Sequence, residues 1–119
     1  MNLTYSFGKH QRLLKPVEYK YVFAQPYRIS DRYFTVLART NRVGQARLGL
    51  ALSKKRVKQA TQRNRLKRLI RESFRVHQYL LQGWDCVVLA KTEASQASNQ
   101  DLLIAITQQW QQLAVQRFL

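Results

Sequence analysis

The chain has 119 residues, with 21 Lys and Arg against 6 Asp and Glu and a formal net charge of +15. One small domain with that excess calls for a polyanionic partner. At 45% hydrophobic residues it is too apolar for a disordered basic tail and apolar enough to build a modest core.

The charge is uneven. Residues 1–75 carry 19 basic and 3 acidic side chains, whereas residues 76–119 carry 2 and 3, so the partner meets the first two-thirds. Binding of a phosphate backbone to such a surface releases counterions, and affinity then falls by about 0.7 to 0.9 log units per log unit of salt for each phosphate neutralised. No apolar run approaches the roughly 18 residues of a membrane span. Met1 to Lys15 holds no apolar stretch followed by a small-residue cleavage site, and the expected location is the cytosol. Cys86 has no second cysteine to pair with, and His10 and His77 are too far apart for zinc-ligand spacing, so no metal site is expected of the protein alone. Glu18, Asp31, Glu72, Asp85, Glu93 and Asp101 stand singly, without the carboxylate pairs on which two-metal phosphodiester hydrolysis draws. No catalytic residue is therefore assigned to this chain.

In chain order, Pro16 opens a short helix to Gln25, with Val17, Tyr21 and Ala24 on one stripe and Tyr19 and Phe23 on a neighbouring one, and Pro26 stops it. Tyr27 to Ile29 and Tyr33 to Arg39 are aromatic and β-branched and read as strands joined at Ser30 and Asp31. The loop Thr40 to Ala46 suits a hairpin. A third strand, Arg47 to Ser53, points Leu48, Leu50 and Leu52 one way and leaves Gly49, Ala51 and Ser53 as a smooth face on which something can pack closely. From Val57 to Tyr79, Leu66, Leu69, Ile70, Ser73, Phe74 and His77 recur at helical spacing. Trp84 to Lys91 is a buried strand with Cys86 as an inert thiol, and Asn99 to Phe118 a closing helix capped by Ser98 or Asn99. The expected fold is a single α+β domain of order αβββαβα, whose four-stranded sheet holds a parallel pair on either side of the crossover helix.

That crossover helix carries the charge. Between Ser53 and Arg75 lie ten basic residues and one acid, Glu72. At about 100° per residue, Asn64, Arg68, Arg71 and Arg75 fall opposite the apolar stripe, with Arg65 and Lys67 on its flanks. Like charges at these spacings repel by roughly 0.2 to 0.5 kcal/mol per close pair, so an unbalanced comb of this kind is better explained by polyanion binding than as a solvated face. The planar fork of Arg grips phosphate oxygens and stacks on bases, a combination suited to folded RNA.

The string SKKRVKQATQRNRLKRLIRESF at Ser53 to Phe74, with Arg63-Asn64-Arg65 inside it, resembles the protein subunit of bacterial ribonuclease P. The resemblance extends to Arg12-Leu13-Leu14-Lys15, to Phe23, to Arg47-Leu48-Gly49-Leu50 and to Trp84-Asp85-Cys86-Val87-Val88, in the same order along most of the chain. It implies that Lys54, Lys55, Arg56, Arg63, Asn64, Arg65, Lys67, Arg68 and Arg71 contact a catalytic RNA subunit. It also implies a cleft between the first helix and the sheet that binds the 5′ leader of precursor tRNA through Arg12, Lys15, Tyr19 and Phe23. In that cleft, a strand position that is often aromatic in the family is Leu37 here.

By the same resemblance the crossover is left-handed, against the general rule. Chemistry would belong to the RNA, with magnesium ions held by that RNA and none by the protein, which would act as a monomer in the holoenzyme. Phe7, Lys9 and Arg12 fall in an N-terminal arm, residues 1–12, where the resemblance is looser, and His77 reads as a packed residue rather than a base. The rival readings are a ribosomal or other structural RNA-binding protein and a DNA-binding module using residues 57–79 as a recognition helix. A membrane-surface helix is disfavoured because Leu66, Ile70 and Phe74 are needed for the core.

Overall fold

The computed structural model describes residues 7–116. Its elements are α1 (Pro16–Ala24), β1 (Tyr27–Ser30), β2 (Phe34–Thr40), β3 (Arg47–Leu50), α2 (Ala60–His77), β4 (Trp84–Ala90) and α3 (Asn99–Gln116), with short 3-10 turns at Lys9–Gln11, Gln78–Leu80 and Thr92–Gln96. The αβββαβα order is the one the sequence predicts. The strands lie in the order β1-β2-β4-β3, so β4 inserts between β2 and β3. It pairs antiparallel with β2 (Val36 opposite Val88) and parallel with β3 (Leu48 opposite Cys86).

Boundaries differ where side chains redirect the backbone. β3 ends at Leu50 rather than Ser53, because after Ala51 the chain turns: the Ser53 carbonyl and Oγ accept the N–H groups of Val57 and Arg56 at 3.0 and 3.1 Å. α2 starts at Ala60 rather than Val57, and Val57 is instead buried as the anchor of the loop before it. The last helix has Ser98 as its cap, its Oγ accepting from Asp101 N at 3.1 Å, and Phe118 lies outside the described residues. Of the expected N-terminal arm, residues 1–6 also lie outside them. Residues 7–12 are held: Gln11 is buried, Arg12 forms a parallel bridge with Leu48, and Leu13 N donates to the Leu48 carbonyl at 2.9 Å.

Alternation along the strands gives the sheet two apolar faces. Val36, Ala38, Leu48, Cys86 and Val88 face α2 and α3, where Leu66, Ile70, Phe74, Ile106 and Trp110 complete the larger core. Phe74 meets Trp110 edge to face at 5.8 Å, and Ser73 Oγ accepts the Trp110 indole N–H at 3.0 Å. His77 is a packed residue, its Nδ1 donating to the Ser73 carbonyl at 2.7 Å. Burial, and then the charge of Asp85, push the Cys86 thiol far above its usual range, which makes it inert.

On the opposite face, Leu13, Leu37 and Val87 pack under α1 through Val22. Neither stripe predicted for α1 is therefore its buried one. With Val22 pointing down, Tyr19 and Phe23 lie about 60° and 100° to one side and Tyr21 about 100° to the other. α1 thus separates two flanks. The smooth side of β3 receives Tyr19: a methyl group on Gly49 would stand 2.8 Å from the Tyr19 ring, and Tyr19 Oη accepts the Leu50 N–H at 3.2 Å.

An ion network fixes α1 to the sheet. Arg47 Nε and Nη2 grip both oxygens of Asp85 at 2.8 and 2.7 Å, and Asp85 Oδ1 also accepts from Asn41 Nδ2 at 2.7 Å. Arg47 Nη1 reaches Glu18 at 3.3 Å, while Glu18 Oε1 accepts the N–H groups of Leu14 and Lys15 at 2.9 and 2.8 Å and so caps α1. Those backbone donors, with Arg47 behind them, hold the Glu18 carboxyl below the usual carboxylate range.

Arg47→Ala leaves Asp85 buried with Asn41 as its remaining side-chain partner, and the expected destabilisation in urea titration is about 3 kcal/mol. Because the folded pKa of Glu18 is depressed, its contribution is full above its ordinary value of 4.5 and is lost as pH falls through the folded value. Melting from about pH 6 to about pH 3 should therefore show the wild type losing more stability than Glu18→Gln.

Candidate nucleic-acid interface

α2 packs its apolar stripe on the sheet and α3, which turns its basic side outward. The two arginines of Arg63-Asn64-Arg65, however, fold back on the chain. Arg63 Nη1 donates to the carbonyls of Val57 and Lys58, both at 2.8 Å, and so closes the loop that precedes the helix. Arg65 crosses to the Thr92–Gln96 turn, where its Nη2 meets the carbonyls of Ala94, Ser95 and Ala97 at 3.3 Å, and it also bonds the side chains of Gln62 and Asn99. The resemblance implies RNA contact for all three residues. The structure gives both guanidiniums a scaffold role and leaves Asn64 exposed between them.

The outward comb is Asn64, Arg68 and Arg71, exposed, with Lys67 half-buried beside them. These four line a hollow of about 520 Å³ together with Arg12 and Phe7. Arg12 lies 4.8 Å over the Phe7 ring, and Phe7 meets Phe74 edge to face at 5.6 Å. Arg12, which the resemblance places in the leader cleft, thus stands on the α2 side. That placement depends on its bridge to Leu48, which has no sequence signature. The acid Glu72 in this hollow is tied to Arg75, which holds its carboxyl below the usual range.

Lys54, Lys55 and Arg56 are exposed in the bend after β3. Lys55 and Arg56 line a second hollow with Lys58, Gln59 and Gln62 beside the start of α2, where the helix dipole adds positive potential. The comb therefore extends past the helix N-terminus.

Across the sheet, the α1 flank carrying Tyr19 and Phe23 is a different surface. Phe23 is 44% exposed one turn from Tyr19. Tyr19 is half-buried against Gly49, with Ala51 and Leu89 beside it in the same cluster. Leu37 is buried beneath Val22, so this position is closed core and offers no stacking face. Lys15 is exposed at the start of α1, near Arg12, Leu14 and Val43 rather than on the Tyr19 flank. Of the four residues assigned to the leader, the structure brings Tyr19 and Phe23 together and sets Arg12 and Lys15 apart from them.

Among the described residues, no group of three or more His, Cys, Asp or Glu is placed to hold a metal ion. Asp31 accepts the N–H groups of Tyr33 and Phe34 at 2.8 Å, and Glu18, Glu72 and Asp85 are bound to arginines. Four of the six acids thus serve turns, caps and ion pairs.

A small α+β scaffold with an acid-poor guanidinium comb on one side and an exposed aromatic flank on the other defines a protein of the RNA-binding class. The family model described as Ribonuclease P matches residues 7–114. The chain is 44% identical over 112 residues to the Ribonuclease P protein component of Aliivibrio fischeri, covering 94% of this chain and 96% of that protein. It is 47% identical over 106 residues to the one from Methylococcus capsulatus, covering 89% and 83%. Among solved structures, the RNase P protein of Staphylococcus aureus aligns at a TM-score of 0.77 with 26% identity over 87% of this chain and 94% of that one. The RNase P protein of Thermotoga maritima aligns at 0.77 with 27% identity over 85% and 96%. This chain belongs to the ribonuclease P protein family.

The two kinds of arginine separate by experiment. Arg65→Ala removes bonds to three part-buried carbonyls and should destabilise the fold by about 2 kcal/mol in thermal or urea melts. Arg68→Ala should stay within about 0.5 kcal/mol of wild type. It should also lower the slope of log affinity for RNA against log salt by about 1.

Proposed function

We propose that this chain, as the protein subunit of a ribonuclease P ribonucleoprotein, assists a catalytic RNA in endonucleolytic removal of the 5′ leader from precursor tRNA. The observation that carries this reading is the division of its surface. The α2 comb, with Lys54, Lys55 and Arg56 beyond it, suits the phosphates of a large folded RNA. The Tyr19 and Phe23 flank suits unpaired bases, which stack on aromatic faces for roughly 1 to 3 kcal/mol each. A ribosomal or other structural RNA-binding role, which explains the charge equally well, is not favoured by the family the chain belongs to.

In this reading the bond is cut by the RNA. The acids of this chain do not fit a magnesium site, being single and largely committed to arginine and backbone partners, so we assign the ions to the RNA. The protein supplies positive potential along the backbone of its partner, holds the leader and neutralises repulsion between the two RNAs. It acts in the cytosol, as a monomer within the holoenzyme.

At low magnesium, adding the protein to the catalytic RNA should stimulate precursor tRNA cleavage and create a preference for substrate that carries a leader. No stimulation and no such preference would refute the proposal. Phe23→Ala should weaken binding of leader-bearing substrate by about tenfold, the loss of one stacked base, while leaving leaderless substrate unaffected. Gly49→Ala, which pushes the Tyr19 ring off its seat, should produce a smaller loss of the same kind, read in the same titration.

A further inference from the structure

The second flank of α1 carries a surface that neither the comb nor the Tyr19 flank accounts for. Val17 is 67% exposed and Tyr21 41%, and across from them Val43, at the tip of the loop between β2 and β3, is 56% exposed. These three line one hollow of about 540 Å³ with Arg39 and Arg42. Val43 also lines the adjoining hollow with Leu14, 55% exposed, and Lys15. Contiguous apolar side chains with a basic rim mark an interaction site rather than ordinary surface scatter.

Hydrogen bonds and a cation–π contact within the chain brace this surface. Arg39 lies 4.0 Å over the Tyr21 ring, its Nη1 donates to the Tyr21 carbonyl at 2.9 Å, and Tyr21 Oη donates to the Thr40 carbonyl at 2.8 Å. Asn41 Oδ1 accepts the N–H groups of Val43 and Gly44 at 3.1 and 3.2 Å, and its Nδ2 donates to the Gln45 carbonyl and to Asp85. Gly44 supplies the positive φ of 76° that closes this turn. The loop therefore presents Val43 outward on a fixed support. The two acids that line the hollow, Glu18 and Asp85, are both bound to Arg47, and Glu18 also accepts two backbone N–H groups, while Arg39 and Arg42 keep the rim positive.

We propose that this flank docks unpaired nucleotides of the catalytic RNA, with bases against Val17, Val43 and the Tyr21-Arg39 stack and phosphates on Lys15 and Arg42. An aromatic ring capped by a guanidinium offers stacking area to any base. The choice of the catalytic RNA over the leader follows from continuity: Arg12 lines both the comb's hollow and the one holding Lys15 and Val43, whereas the Tyr19 flank lies across α1. The inference rests on the reading of α2 as the catalytic-RNA face.

Its test is titration of the full-length protein onto the catalytic RNA, followed by titration of the assembled enzyme with leader-bearing and leaderless precursor tRNA. Val17→Glu and Val43→Glu, both at exposed positions and checked for wild-type melting, should each weaken assembly about tenfold and leave the leader preference unchanged. Val43→Tyr should hold or improve assembly. Val115→Glu on α3, with the same change of charge, should have little effect, and an equal loss there would overturn the proposal. Unchanged assembly in the Val17 and Val43 variants would also overturn it, as would a loss seen only with leader-bearing substrate. An Arg68→Ala, Arg71→Ala protein run in parallel separates the two readings. If it weakens assembly while the acidic variants do not, the docking inference fails and the α2 reading stands. If it leaves assembly intact, the α2 reading itself fails.

Discussion

The Arg47 and Asp85 pair joins the two strands on which the whole arrangement depends. β3 and β4 are parallel neighbours, and the chain between them must leave the sheet, form α2 and return, so their register sets where the basic helix lies. The bidentate grip locks that register at its end, where Arg47 stands opposite Asp85. The same guanidinium reaches Glu18 and so sets the start of α1, and the same carboxylate accepts from Asn41 and so sets the β2 to β3 loop. Asp85 is almost wholly buried, which makes the pair costly to break from either side. Every surface assigned to RNA takes its orientation from an element tied to this network.

A second constraint is the repulsion inherent in +15 on 119 residues. The chain answers it by turning some guanidiniums onto its own oxygens. Arg63 and Arg65 bind loop carbonyls, Arg39 binds the Tyr21 carbonyl and lies on its ring, and Arg47 and Arg75 take carboxylates. These residues stiffen the loops on either side of α2 and the flank of α1. Arg68, Arg71, Lys54, Lys55 and Arg56 remain directed at solvent, where a phosphate backbone relieves their mutual repulsion. Internal bonding and solvent exposure are thus divided among the basic residues by reach rather than by chemistry.

Much of this was legible in the residues. Helical spacing of Leu66, Ile70 and Phe74 gave α2 its buried side and hence the side its charges occupy, and the smooth run at Gly49 foretold a close neighbour, which is Tyr19. The family string of Ser53 to Phe74 pointed to the same family as the full-length comparisons. Other features were not legible. That Arg63 and Arg65 bind carbonyls of their own chain had no signal, because those acceptors lie in loops whose path no local pattern sets. Val22, the buried residue of α1, fell on neither of the two stripes read there, because a nine-residue helix with apolar residues on several sides has no periodicity to choose between them.

The sequence by itself determined the class of the fold, the order of its elements, the parallel pairing of the last two strands and the need for a polyanion. All of these follow from local periodicity, turn chemistry and net charge. Only the tertiary structure decided which basic groups face outward, that Arg12 joins α2 rather than the aromatic flank, and that α1 presents two surfaces instead of one. Those outcomes depend on distances between segments far apart in the chain. Whether a guanidinium meets a carbonyl or solvent is settled when β4 inserts between β2 and β3 and brings loops and helices within reach of one another.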